Sequence, residues 1–173
     1  MVFARTKLIL EDRCFEEEPG TIELKMRVPK ISKVYRKVYE MLRGAWNVPE
    51  SEIQESFFNW SKEKGEDKFH IRWWLHKDID VFTYIYVRVD LQGSGTDEAG
   101  TIMVRIKGWV RSEYPQDTVW QRSLFYEMLR TFWHRVFYRQ KREEFAEECR
   151  HTMIYFDSQV KEFLHKLQQG QEE

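Results

Sequence analysis

The stretch Gln116 to Gln169 contains neither glycine nor proline, bounded by Pro115 and Gly170. Most of it reads as helix. Trp120, Leu124, Met128, Phe132 and Val136 recur every fourth residue, with Phe125, Leu129, Trp133 and Phe137 as a second row beside them. The two rows make a broad apolar face of the kind that covers a sheet or a core. A second run follows at heptad-like spacing: Cys149, Met153, Phe156, Val160, Phe163 and Leu167. Asp117 or Thr118 supplies a short side-chain oxygen to cap the first free amides. One straight helix of this length would span roughly 75 Å, against a radius of gyration of about 16 Å for a compact chain of this size. It must bend or leave the domain. The polar run Arg139 to Glu144 marks the place. Beyond it, the second half packs either on the chain's own sheet and first helix or on a partner chain, which would make a homodimer through the C-terminal helix.

The rest of the chain alternates. Residues 2–11 read as a strand, and Cys14 to Gly20, with three consecutive Glu and Pro19-Gly20, as a turn. In residues 21–28, Ile22, Leu24, Met26 and Val28 share one face, as in a half-buried strand. Pro29 ends it. From Ile31 to Trp46 apolar residues return at three and four, the pattern of an amphipathic helix. Pro49, Glu50 and Glu52 suit the first turn of a short second helix over 49–55. Strands are expected over 56–63, 68–79, 82–91 and 101–112, the last two joined by the Gly-rich stretch Gln92 to Gly100. One face of this meander is aliphatic and the other mixes aromatic and basic residues. The fold class is therefore α+β: an antiparallel β-sheet meander with short N-terminal helices, gripped by a long C-terminal α-helix. Residues 1–173 form a single domain, with a helical extension after about residue 140.

That element order resembles the helix-grip fold of the START and Bet v 1-like superfamily. The local match is closest where Thr21-Ile-Glu-Leu-Lys-Met-Arg-Val-Pro29 leads into Val34-Tyr-Arg-Lys-Val38. The extra N-terminal strand and the longer terminal helix depart from the family pattern. The resemblance implies a cavity between sheet and helix for an apolar small molecule. Trp73, Ile85, Val87, Val104, Ile106, Leu129, Trp133 and Phe137 would line it, or fill it as a solid core.

Charge narrows the partners. The net charge is −1, and residues 1–115 hold 19 basic and 19 acidic residues, so no whole-protein field draws nucleic acid. A basic site has to be local. The candidate is the second meander face, where Arg72, Trp74, Tyr84, Tyr86, Arg88, Arg105, Lys107, Trp109 and Arg111 could stack bases and hold phosphates of single-stranded nucleic acid. Cross-strand pairing and cation–π contacts produce the same composition.

No reaction is fixed by a motif. Gln92-Gly-Ser-Gly-Thr lacks the lysine of a phosphate loop and precedes a strand. Glu147, Glu148 and His151 give one Glu-x-x-His, where a carboxylate-bridged metal pair needs two. His70 and His76 are too far apart along a strand to share an ion. Cys14 and Cys149 suggest no disulfide framework, and Cys149 reads as a small buried hydrophobe. Unpaired cysteines, no apolar leader and no apolar run of membrane length point to a cytoplasmic protein. No cofactor or metal is implied. The expectation is a binding or interaction module, not an enzyme, with a structural dimerisation protein as an alternative.

Overall fold

A computed structural model describes residues 9–15, 20–63, 65–96, 98–114 and 118–170. Six strands and three α-helices appear among them: β1 (Ile9–Arg13), β2 (Ile22–Val28), α1 (Ile31–Trp46), β3 (Ile53–Glu63), β4 (Glu66–Asp78), β5 (Thr83–Gly95), β6 (Gly100–Glu113), α2 (Leu124–Val136) and α3 (Arg139–Gln168). The strands form one antiparallel sheet in which β3, β4, β5 and β6 follow as a meander. Both β1 and β2 pair with β6, taking opposite halves of its free edge. The expected α+β class is the one observed, and α3 lies across the sheet in a helix-grip-like arrangement.

Alternation dictates the layers. In β4, Phe69, Ile71, Trp73 and Leu75 are buried, and Ile85, Val87, Val89 and Leu91 continue that face in β5. Ile102, Val104, Ile106 and Val110 complete it in β6. Val34, Val38, Leu42 and Trp46 of α1 cover one part of this aliphatic face. Cys149, Met153, Phe156, Val160, Leu164 and Leu167 of α3 cover another. Trp46 meets Phe156 edge-on, ring centroids 5.5 Å apart.

Local chemistry moved several boundaries. The helix expected over 49–55 is a single 3-10 turn, Glu50–Glu52, because β3 begins at Ile53. β5 runs on to Gly95, deeper into the glycine-rich stretch than expected. Residues 2–8 of the first expected strand lie outside the described residues, as does Asp117. α2 is capped by Ser123, whose Oγ accepts from the Tyr126 amide at 3.2 Å, not by Thr118.

The long helix breaks at Phe137-Tyr138, and its halves take roles opposite to the partner-chain expectation. α3 is core, and α2 is the part left uncovered. Within α3, Leu164 is buried where Phe163 was expected and Phe163 is only partly covered. The cysteine reading is also corrected. Cys14 and Cys149 are joined by a disulfide, which ties the end of β1 to α3. Gly108 of β6 makes room for it: a Cβ there would lie 2.9 Å from each sulfur and 2.6 Å from Met153 Sδ. The reducing compartment was expected from unpaired cysteines, and that premise does not hold. Among the described residues no helix is long and apolar enough to cross a membrane.

Candidate functional site

The outer sheet face carries all nine residues read as nucleic-acid candidates, half-buried and alternating with the core positions of β4, β5 and β6. Register sets Trp74 opposite Arg88, Tyr86 opposite Trp109 and Tyr84 opposite Arg111. The rings engage one another. Trp74 stacks on Tyr86 at 4.6 Å and lies 5.9 Å from Trp109. Arg88 sits 5.7 Å over Trp74, and Arg111 sits 4.8 Å over Tyr86.

Carboxylates neutralise most of the cations on this face. Asp90, whose side chain is 3% exposed, accepts from Arg72 Nε and Arg88 Nε, each at 2.7 Å, and lies 3.3 Å from His70 Nε2. Burial alone would raise the Asp90 pKa. The hydrogen bonds from Arg88, Arg72 and His70 outweigh it and hold the carboxyl below its ordinary range. Arg105 donates twice to Glu23, at 3.0 and 2.9 Å, and Arg111 donates to Glu11 at 2.5 Å. Four of the five cations are thus held by carboxylates of the sheet, with Asp90 shared by Arg72 and Arg88, while among the described residues Lys107 has no carboxylate partner.

The sheet–helix candidates divide. Trp73, Ile85, Val87, Val104 and Ile106 lie together under α1 and α3, each no more than 1% exposed. Leu129, Trp133 and Phe137 do not join them. Leu129 and Trp133 sit on α2 and Phe137 caps its C-terminal end, at 49%, 56% and 59% exposure. Their removal from the interior has a physical cause in the opposite side of the helix.

The two buried residues of α2 are Arg130 and His134. Arg130 lies 5.1 Å over the Tyr114 ring and donates to Glu127 at 2.7 Å. His134 Nδ1 is 2.8 Å from Tyr114 Oη, and its Nε2 meets Arg142 Nη1. Arginine can only donate, so Nε2 accepts and Nδ1 carries the proton toward Tyr114. Tyr138, at the break, donates to Asp80 and lies 3.0 Å from Thr83 Oγ1. α2 is therefore seated by polar contacts, and its apolar side faces away from the domain. All nine residues of the two rows are 49–60% exposed.

This seat makes a pH prediction. Burial first, and then the Arg142 and Arg130 charges, lower the His134 pKa from 6.5 to about 4, with Asp12 opposing. The neighbouring Tyr114 and Tyr138 are raised, mainly by burial, and stay neutral. The unfolded chain then binds the proton more readily than the folded one. This contribution is intact above pH 6.5 and is lost as pH falls toward 4, to a total of about 3 kcal/mol. Urea titrations from pH 7 to 4 should show that loss in the native protein and a smaller one in His134→Gln. Equal losses in both would remove His134 as the cause.

Sequence reasoning missed the disulfide, the Arg130–His134 seat and the arginines around the α2–α3 corner. Arg130 and His134 are four apart, opposite the apolar rows, which was the available signal. No protein-family model matches the chain, and a search of curated proteins finds no matching relative.

Proposed function

We propose that the protein is an interaction module whose docking element is α2, and that the apolar face of α2 seats a second copy of the chain. The observation that carries this reading is an inverted helix, with Arg130 and His134 buried on the inner side and seven large apolar side chains outward, joined by exposed Trp120 just before the helix and Phe137 just after it. Half-exposed aromatic and aliphatic side chains present roughly 100 Å² each, so the face offers roughly 900 Å². The largest apolar patch on a monomer is usually about 300–600 Å². A stable pair needs about 800 Å² from each partner. The composition also fits. Trp, Phe and Met fill the face, and from residue 118 to 140 the basic residues are arginine and histidine, with no lysine, as at protein interfaces. Antiparallel pairing about a two-fold axis would set the Trp120 end of one α2 against the Phe137 end of the other and oppose the two helix dipoles.

Light scattering and native mass spectrometry on the full chain test the reading. The native protein should be a dimer at micromolar concentration. Phe132→Glu with Trp133→Glu, both at exposed positions, should weaken association about 100-fold while circular dichroism stays unchanged. A native protein that is monomeric at high concentration, or a variant that remains dimeric, would sink the proposal. A monomer that sediments with neutral vesicles would reassign the face to a lipid surface.

The helix-grip order supports kinship with the START and Bet v 1-like superfamily, and with it an apolar ligand between sheet and helix. Against that ligand, Trp46, Trp73, Met153 and Phe156 occupy the space where it would sit, each no more than 1% exposed.

A further inference from the structure

We propose that the cleft between the end of β1 and the α2–α3 corner binds a phosphate-bearing anion. The cleft has a volume of about 610 Å³. Five arginines line it from three elements: Arg13 from β1, Arg135 from α2, and Arg139, Arg142 and Arg150 from α3. It contains no lysine. The guanidinium fork matches phosphate oxygens in pairs, where an ammonium acts as a point charge.

The carboxylates of the cleft do not balance these cations. Asp12 pairs with Arg142 at 2.6 Å and Glu143 with Arg139 at 2.8 Å. Glu147 turns to His151 at 3.6 Å. Arg150 Nε donates to the Cys14 carbonyl at 3.0 Å. Among the described residues, Arg13, Arg135 and Arg150 have no carboxylate partner, and five arginines against the three carboxylates Asp12, Glu143 and Glu147 leave two positive charges at the cleft wall.

The second observation is Arg142 itself. It is 6% exposed, yet its Nε donor has no acceptor. A buried donor without an acceptor is costly, and an anion oxygen in this cleft would supply one. His134, neutral beside it, accepts from Nη1, so that nitrogen is taken while Nε stays without an acceptor. The disulfide fixes the geometry, because it anchors Cys14, the residue that follows Arg13 at the end of β1, directly to α3. The volume exceeds that of a bare phosphate, so the ligand class is a phosphorylated small molecule or the phosphate of an anionic lipid headgroup.

Calorimetry with pyrophosphate at low ionic strength, and sedimentation with phosphatidylglycerol against phosphatidylcholine vesicles, test the site. The protein is used at full length, native and as Arg13→Gln with Arg135→Gln, two exposed positions whose folding is checked by thermal melting. Arg142→Gln serves as a further variant if it folds. Saturable pyrophosphate binding that weakens at least tenfold in the double variant supports the site with a free phosphorylated ligand. Sedimentation with phosphatidylglycerol vesicles alone, lost in the same variant, supports it with a headgroup. Absence of both, or binding that the double variant leaves unchanged, overturns it. None of these outcomes depends on α2 pairing, since light scattering reads that separately.

Discussion

Opening the Cys14–Cys149 bond should lower the unfolding free energy by about 4 kcal/mol. The two cysteines are 135 positions apart, so the bond closes a loop that encompasses every strand from β2 to β6 and both α1 and α2. Loops of that size, once tied, remove a large part of the freedom of the unfolded chain, and typical disulfides contribute about 2–4 kcal/mol. The native state also loses the clasp that holds β1, a five-residue edge strand, against the sheet. Urea denaturation with and without dithiothreitol measures the effect. The midpoint should fall, and the slope should rise because the unfolded chain expands. Cys149→Ala should reproduce the reduced curve and no longer respond to reductant. An unchanged midpoint under full reduction would show that the bond contributes nothing to the fold.

Trp73→Ala is expected to cost about 4 kcal/mol, in the range for large aromatic residues of a packed core. Trp73 is 0% exposed, stacks on Tyr35 at 5.6 Å, lies 6.0 Å from Tyr39 and donates from its indole to Glu55 at 3.1 Å. Trp73→Phe keeps most of the ring and loses the hydrogen bond, so it should cost about 1 kcal/mol beyond the small change in volume. Denaturation midpoints of the two variants bear directly on function. A loss under about 1 kcal/mol for the alanine variant would mean that the side chain borders open space. The sheet–helix ligand reading would then regain its footing against the α2 reading.

Much of the architecture was legible because alternation in a strand reports burial directly. Ile71, Trp73 and Leu75, or Ile102, Val104 and Ile106, can only share a face, and a meander leaves one way to stack such faces. Helical periodicity says less. It showed that Leu129, Trp133 and Phe137 form an apolar row with Phe125 but not what that row touches. The decision came from residues with no apolar signal, Arg130 and His134, through Tyr114 and Arg142. The helix length was likewise readable, while the break fell at Phe137-Tyr138, two residues whose composition does not announce it. Cys14 and Cys149 were invisible as a pair for a different reason. Their meeting depends on β1 lying along β6 beside Gly108, a contact between segments far apart in sequence. The cleft arginines belong to the same class, since Arg13 and Arg142 converge only once that strand is in place.

β6 has a consequence for how the chain acquires its structure during translation. Both N-terminal strands dock on β6, yet β2 is complete about 70 residues before β6 begins. The meander strands β3, β4 and β5 can zip as successive hairpins while they leave the ribosome. β1 and β2 cannot join until β6 follows, and α3, which closes the aliphatic face, emerges after all six strands. The amphipathic segments made first therefore wait unpartnered through most of synthesis. A ribosome-stalled chain ending before Gly100 should be protease-sensitive at its N-terminus and acquire protection there only after β6 has cleared the exit tunnel.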